Sequence, residues 1–392
     1  MEEYYMALEF LHPHKEVQIV DNSYTFEYAT GGGTKLFQPY ISDKGEDNKI
    51  KRWTSLPDFL TQNGLPVFKK HGQPIYNIIN WLRNGGVVYG IRLMPEDANY
   101  ANLVFNVKTK FIPADTEEGT SAKTTIKLSI ENFDDIADKS SLEALLDSQD
   151  ETDDDDFKNH YLFAITLKGR GVYGNDYAMR LTLNTSFDDT YDFRCYDFTL
   201  LERSSNGNLK VVEGPFTVSL FPEAVSTAMT SLFIEQVFKN YSGIVDLVFN
   251  ENQYDALIDE LAENHGGNFP VIQNIDFIFC KDIEQKNYTV LELDDTSAGI
   301  DQYEGVSFAK GSDGKFTYKR TGRATEITKK YVDAFDGIVD KGVLNKKAYP
   351  FNIVLDANYD KSVKAAIATF CKNRKDVFGI IDTGIIPTVS GT

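Results

Sequence analysis

Apolar positions in the chain change period three times, and each change predicts a different kind of layer. In "GQPIYNIINWLRNGG" Ile75, Ile78, Ile79 and Leu82 fall on one helical face and Gly85–Gly86 closes it. Just before it, "WTSLPDFLTQNG" reads as a short helix capped by Ser55, with Pro57 and Asp58 in the first turn and Gly64 as the stop. "VVYGIRLM" (87–94) then reads as a buried strand, so helix followed by strand opens an α/β layer.

From about residue 98 the period is two. "LVFNVKTKFI", "TTIKLSI", "HYLFAITLK", "DYAMRLTLN", "YDFRCYDFTLLE" and "GPFTVSLF" are strand-like runs between turn residues. Tyr177, Met179, Leu181 and Leu183 alternate with polar neighbours. Alternation through Tyr191, Phe193 and Cys195 jumps to Tyr196, Phe198 and Leu200, which predicts a bulge. The region predicts an inserted antiparallel β-rich domain, barrel-like or sandwich-like. After residue 225 helical spacing returns in "SLFIEQVFKNYSG" and "NQYDALIDELAENHGG", where Tyr254, Leu257, Ile258 and Leu261 share a face. The last change is the clearest. Strand "FNIVLDA" (351–357), helix "KSVKAAIATFCKNR" (361–374) and strand "VFGIIDTG" (377–384) make a right-handed βαβ unit with parallel strands.

At 392 residues there is room for two or three domains, and 42% hydrophobic with 13% aromatic residues suits a sheet-rich globular protein. A net charge of −19 argues against a nucleic-acid surface, which needs a basic face. Three scattered cysteines (Cys195, Cys280, Cys371) suggest reduced thiols without a disulfide framework, as for synthesis in a cytoplasm. No run of 18 apolar residues occurs and the start "MEEYYMALEF" is acidic. The expectation is a protein neither secreted through a signal peptide nor embedded in a membrane.

Candidate chemistry is sparse. "KGRGVYGNDYAMRL" (168–181) holds Gly169-x-Gly171-x-x-Gly174, the dinucleotide-loop spacing. That loop needs a helix N-terminus aimed at pyrophosphate, but a period-2 strand follows, so the glycines read as a long hairpin connection. "GGG" at 31–33 lacks the ending of a phosphate loop. "IIDTG" carries Asp382-Thr383-Gly384, the aspartic-protease tripeptide. It occurs once and at the end of a parallel strand, so a buried strand ending in a turn is favoured over a homodimeric hydrolase. Asp356 and Asp382 should lie near each other at the carboxyl edge of the sheet, with no histidine, serine elbow or basic residue beside them. His12, His14, His71, His160 and His265 lack metal-ligand spacing. The acidic segment 131–156, with a short helix at Ser141–Leu146, reads as a solvated loop. A calcium site at Asp153–Asp156 is the lesser reading, since the glycine and terminal glutamate of an EF-hand are missing. Neither catalytic nor cofactor nor metal residues are therefore assigned.

Several stretches, taken in order, carry a resemblance. "LFQPYISDKGEDNKIKRWTSLPDFLTQNG" and "HGQPIYNIINWLRNGGVVYGIRL" come first. "GRGVYGNDYAMRL", "YDFRCYDFTLLE…VVEGPFTVSLFPEA", "FKNYSGIVDL" and "VSFAKGSDGKF" follow. "YVDAFDG" and "YPFNIVLDANYDKSVKAAIATFCKNRKDVFGIIDTG", with its R-x-D, close the series. Together, over most of residues 20–385, they resemble the contractile-tail sheath proteins of bacteriophages. The resemblance implies a subtilisin-like α/β sheath core without a catalytic triad, carrying an inserted β-rich domain and a further α+β insert. It divides the chain into an N-terminal arm (1–20), core (21–97), β-rich outer domain (98–225, with the acidic loop 131–156), α+β insert (226–324) and core again (325–392). It implies a non-enzymatic subunit in a phage tail of the virion, assembled in the host cytoplasm. Such a subunit polymerises helically around the tube and contracts to drive it through the host envelope for genome delivery. Its partners would be other copies of itself, the tail tube protein, baseplate and tail terminator proteins and a second sheath chain, without direct contact to nucleic acid or membrane. The alternatives are an aspartic-type hydrolase using Asp382, a calcium-dependent binding module, or a sheath-like subunit of a non-viral contractile injection system. Two departures stand out: "EFLHPHKEVQIVDNSYTF" replaces the family's Pro-Gly-Val opening, and the chain stops at "IIPTVSGT" where family members continue into a C-terminal region. The second predicts a truncated chain or a sheath split between two chains.

Overall fold

The structure, a computed structural model, describes residues 34–113, 123–148, 157–187, 190–191, 193–264, 284–285, 288–291, 306–316 and 325–382. Along the chain the elements are β1 (Lys35–Tyr40), β2 (Ile50–Trp53), α1 (Leu56–Asn63), α2 (Phe68–Arg83), β3 (Val87–Arg92), β4 (Asn102–Ile112) and β5 (Lys123–Glu131). There follow α3 (Lys139–Leu146), β6 (Lys158–Leu167), β7 (Tyr177–Asn184), β8 (Cys195–Arg203), β9 (Leu209–Val218), α4 (Ile234–Tyr241), β10 (Val245–Phe249) and α5 (Glu251–Asn264). The last are β11 (Glu284–Gln285), β12 (Tyr288–Leu291), β13 (Val306–Ser307), α6 (Glu326–Phe335), β14 (Ile353–Leu355), α7 (Lys361–Arg374) and β15 (Phe378–Ile380). Two compact units divide the chain, one bounded by Met1–Ser42, Asn48–Leu93 and Lys319–Thr392, the other by Asp43–Asp47 and Met94–Tyr318.

The first unit is a five-stranded sheet in the order β15-β14-β1-β3-β2, parallel except where β2 meets β3. β1 is central, and every residue from Leu36 to Tyr40 is buried, as parallel strands covered on both faces require. Leu36, Tyr40 and Val88 pack under α1 and α2 with Phe59, Ile75, Ile78, Ile79 and Leu82. On the other face Phe37 stacks on Phe351 at 4.6 Å and meets the edge of Phe335 from α6 at 5.7 Å, with Phe370 of α7 beside them. Each fully buried ring or branched chain of this kind stabilises by about 1.5–3 kcal/mol.

The local chemistry is as read from the sequence. The Ser55 side chain accepts from the Asp58 N–H, and Gly64 ends α1 with φ 80. Pro74 opens the long part of α2, but an extra turn, Phe68–His71, precedes it across Gly72 at φ 68. His71 Nδ1 accepts the Val67 N–H at 2.9 Å, which holds that turn. The terminal βαβ unit has α7 at Lys361–Arg374 between neighbouring parallel strands β14 and β15.

The second unit has a six-stranded sheet, β10-β6-β4-β5-β12-β11, and a four-stranded sheet, β13-β7-β8-β9. Residues of both share one core with α4 and α5, among them Phe105, Phe163, Met179, Phe198, Phe238 and Leu257. Leu142 and Leu146 of α3 close over Val104 and Ala164 in a smaller cluster. The two-sheet form fits the sandwich-like expectation, with one correction: β12 pairs with β5 in parallel. A second correction concerns the bulge. β7 and β8 pair without a break from Tyr177↔Glu202 to Asn184↔Cys195, so no residue is inserted at Cys195–Tyr196. The shift lies instead between β8 and β9, at Phe198–Leu201. The earlier alternation belongs to rings outside the strand, where Tyr191 stacks on Phe193 at 4.8 Å.

Candidate functional site

Three glycines at dinucleotide spacing lie at the centre of a buried junction within the second unit. A Cβ on Gly169 would fall 1.9 Å from the Gly45 carbonyl oxygen, so the backbones of loop 43–47 and residue 169 touch directly. Gly171 has φ 138, open only to glycine at reasonable cost. A Cβ on Gly174 would meet that of Ala101 at 2.6 Å. Between them Arg170 forks onto Asp47, with Nε and Nη2 donating to Oδ2 at 2.9 and 2.8 Å and the backbone N–H to Oδ1 at 2.8 Å. Both side chains are nearly sealed from water, 7% and 0% exposed. The "GSDG" loop docks on the same place: Gly311 N–H donates to Asn175 Oδ1 at 2.8 Å and Val172 N–H to Asp313 Oδ1 at 3.0 Å. Here the sequence reading is corrected, because β6 and β7 belong to different sheets and residues 168–176 are not a hairpin. A five-residue 3₁₀ helix, Val172–Asp176, fills the turn. The loop's glycines serve close approach of backbone to backbone, leaving no cradle for a phosphate.

Asp356 and Asp382 do meet at the carboxyl edge of the first unit's sheet. The Asp382 N–H donates to Asp356 Oδ2 at 3.0 Å, and the Tyr359 N–H to Oδ1 at 3.1 Å. A basic residue, not expected there, completes the group: Lys364 Nζ lies 2.9 Å from Asp356 Oδ2 and donates to the Asp382 carbonyl at 2.5 Å. Burial alone would raise the Asp356 carboxyl, but Lys364 and the two backbone N–H groups outweigh it and hold it below the usual carboxylate range. Asp356 is thus held as an anion that ties β14, α7 and the end of β15 together.

Sequence spacing gave no hint of a third cluster, whose members are drawn from β4, β6 and α5. His160 is 0% exposed. Its Nε2 lies 3.2 Å from Glu260 Oε2 and 3.4 Å from the Thr109 hydroxyl, which itself donates to Glu260 Oε1 at 2.6 Å. Lys158 Nζ adds an ion pair to Glu260 at 2.7 Å. A hydroxyl–imidazole–carboxylate relay uses the two ring nitrogens for different partners. Here hydroxyl and carboxylate share one nitrogen, so the cluster fastens the sheet to α5 rather than activating Thr109. Burial pushes the Glu260 carboxyl up, yet His160, Lys158 and Thr109 together bring it down to about 2 from 4.5. A depressed folded value means the contribution to stability is present above about 4.5 and is lost as pH falls toward about 2. Glu260→Gln should therefore be less stable than the native chain at about pH 6, with the gap closing below about pH 3. Urea unfolding at a series of pH values checks this; a gap that stays constant down to the acid end would contradict it.

No protein-family model matches the chain, and no curated protein matches it. Solved structures similar to the chain include two sheath tail proteins. One is a sheath tail protein of Desulfitobacterium hafniense, at 12% identity and a TM-score of 0.35, over 90% of this chain and 49% of that one. The other is a sheath tail protein of Listeria innocua, at 12% identity and a TM-score of 0.37, over 89% and 47%. This chain thus spans about half the length of either.

The remaining candidates are quickly placed. Asp153–Asp156, His12, His14, His265, Gly31–Gly33 and the Thr383-Gly384 part of the aspartic tripeptide lie outside the described residues. Among the described residues no group of three His, Cys, Asp or Glu side chains could hold a metal ion, and no helix is long and apolar enough to cross a membrane. A cleft of about 320 Å³ in the second unit has an apolar floor (Ile136, Leu142, Leu167, Leu247) and a rim of mixed charge. Its mixed-charge rim, including Asp138 and Lys139, selects no ligand class.

Proposed function

We propose that the chain is a structural, non-enzymatic subunit of a contractile phage tail sheath. What supports the reading is the use made of the stretches that carry the family resemblance. "KGEDN", "GRGVYGN" and "GSDG" lie far apart in sequence and converge on the Asp47–Arg170 junction. The late R-x-D is a second buried fork, Arg374 to Asp376 at 2.9 and 2.8 Å. These residues stiffen the subunit, as an element that turns and slides as a rigid body in a lattice requires.

In this reading copies associate head to tail by heterologous contacts whose rotation does not close, giving a helix around the tail tube. Residues 1–20 act as an arm that adds to a neighbour's sheet edge. The core (21–97 and 325–392) has a subtilisin-like arrangement and faces the tube, and the inserts (98–225 and 226–324) face outward with the acidic loop. Contraction switches the subunits between two packings and drives the tube through the host envelope. Tube, baseplate and terminator proteins, with a second sheath chain, are its partners in the virion. Electron micrographs of the purified chain at high concentration test this. Striated tubes of uniform width are the expected result. Particles that stay single under all conditions, together with a peptidase activity abolished by Asp382→Asn, would overturn it in favour of a hydrolase.

A further inference from the structure

We propose that a lysine-rich surface at the end of α7, in the first unit, receives the acidic outer face of α5 from a second copy of this chain. The surface is built from two stretches. A 3₁₀ helix, Lys341–Leu344, and the turn after it expose Lys341, Lys346 and Lys347. The Asn345 side chain accepts the N–H groups of Lys347 and Ala348, which fixes the tip of that turn. The last turn of α7 lies against this segment, because Arg374 donates to the Val343 and Tyr349 carbonyls. Lys372 and Lys375 flank that buried arginine and are exposed. Apolar side chains share the surface. Leu344 is 48% exposed, and a Cβ on Gly337 would lie 3.0 Å from it, which brings Ile338, 69% exposed, alongside. The flanking carboxylates are held by other groups: Asp340 accepts the Ile50 and Gly342 N–H groups, and Asp376 forks with Arg374. Five exposed lysines outweigh Asp336 and Asp340, so the surface is positive in a chain whose net charge is −19.

Charge complementarity selects the occupant. Glu251, Asp255, Asp259 and Glu263 follow one another four residues apart along α5, on the side opposite the buried Tyr254, Leu257 and Leu261. All four are exposed, and α5 holds neither lysine nor arginine. Among the described residues none of the four enters an ion pair. Like charges at that spacing oppose the helix that carries them, and facing lysines reverse the sign. The stripe runs about 18 Å along the helix. Ala256 and Ala262 lie on the same side and give Leu344 and Ile338 an apolar contact, which a phosphate backbone does not. Two copies at −19 repel each other at long range, so their association depends on a local match of this kind. The match is heterologous, since each copy offers both surfaces and the contact can repeat without limit. It gives the sheath reading its head-to-tail contact, and rests on that reading for the helical form of the resulting array.

Sedimentation velocity of the full chain, over roughly a hundredfold range of concentration, tests the contact. Lys346→Glu/Lys347→Glu and Asp255→Lys/Asp259→Lys should each weaken self-association by about tenfold or more. Lys372→Glu/Lys375→Glu should act as the first of these does. All are exposed positions, and unchanged circular dichroism checks that the variants fold. The Asp255 variant has a smaller net charge, so a global charge effect would strengthen its association where the local contact weakens it. Mixing the Lys346 and Asp255 variants should restore association, because the intact α5 of one meets the intact lysines of the other. A native chain that stays monomeric throughout, variants that associate like the native chain, or a mixture no stronger than its parts overturns the proposal. So does a DNA duplex that binds the native chain and not Lys346→Glu/Lys347→Glu while self-association is unchanged, which assigns the lysines to nucleic acid. The micrographs report separately. Tubes that persist in both variants overturn this contact and leave the sheath reading standing; association without tubes leaves the contact and removes its helical role.

Discussion

Asp47→Ala should lower the stability of the second unit by about 3–5 kcal/mol, among the largest effects expected of a single substitution in this chain. The value of the pair in isolation is not the reason, since desolvation of both ions offsets much of their attraction. The cost arises because Arg170 stays behind, 7% exposed, with its fork and its backbone N–H deprived of the carboxylate they share. Nη1 also donates to the Pro95 carbonyl at 3.4 Å, a neutral acceptor that does not replace the carboxylate's charge. Arg170→Met should cost a comparable amount, because it leaves the Asp47 carboxylate, 0% exposed, without the cation that neutralises it. The double variant should recover at least about 1 kcal/mol relative to the sum of the singles, as expected of groups in direct contact. Urea unfolding followed by near-ultraviolet circular dichroism measures all three. Single losses below about 1 kcal/mol that simply add would mean that water reaches the junction and that its rigidity has been overstated.

Arg374→Met should destabilise the first unit by a similar amount, about 3–5 kcal/mol. Arg374 ends α7 and is 2% exposed at its side chain. Its guanidinium donates to the carbonyls of Val343 at 2.5 Å and Tyr349 at 3.2 Å, forks onto Asp376, and lies 4.3 Å from the centre of the Phe351 ring. The side chain therefore fastens the segment 343–351 beneath the sheet. Lysine cannot replace it, since an ammonium offers neither the planar stack nor the fork. Arg374→Lys should lose most of what Arg374→Met loses. Faster amide exchange in Lys341–Leu344, exceeding that in α1, would place the damage; a lysine variant as stable as the native chain would refute the account.

Short-range chemistry was legible before any coordinates. Capping at Ser55, the stop at Gly64, the bounds of α7 and the parallel strands around it follow from periodicity and turn residues, which act over a few positions and need no partner. The nearness of Asp356 and Asp382 was legible too, because adjacent parallel strands bring their carboxyl ends together. The fasteners were not. Asp47 and Arg170 are 123 positions apart, and Thr109 and Glu260 are 151 apart. No spacing rule links such residues, and each looks like an ordinary surface charge or hydroxyl until burial removes water from around it. The same holds for Lys364, invisible as a partner of Asp356 until α7 folds back along β14. The Gly169-x-Gly171-x-x-Gly174 run shows the division most clearly. By itself the sequence determined that the backbone there must be free of side chains. Only the tertiary structure decided why: the space beside those glycines is occupied by the backbone of Gly45 and the side chain of Ala101.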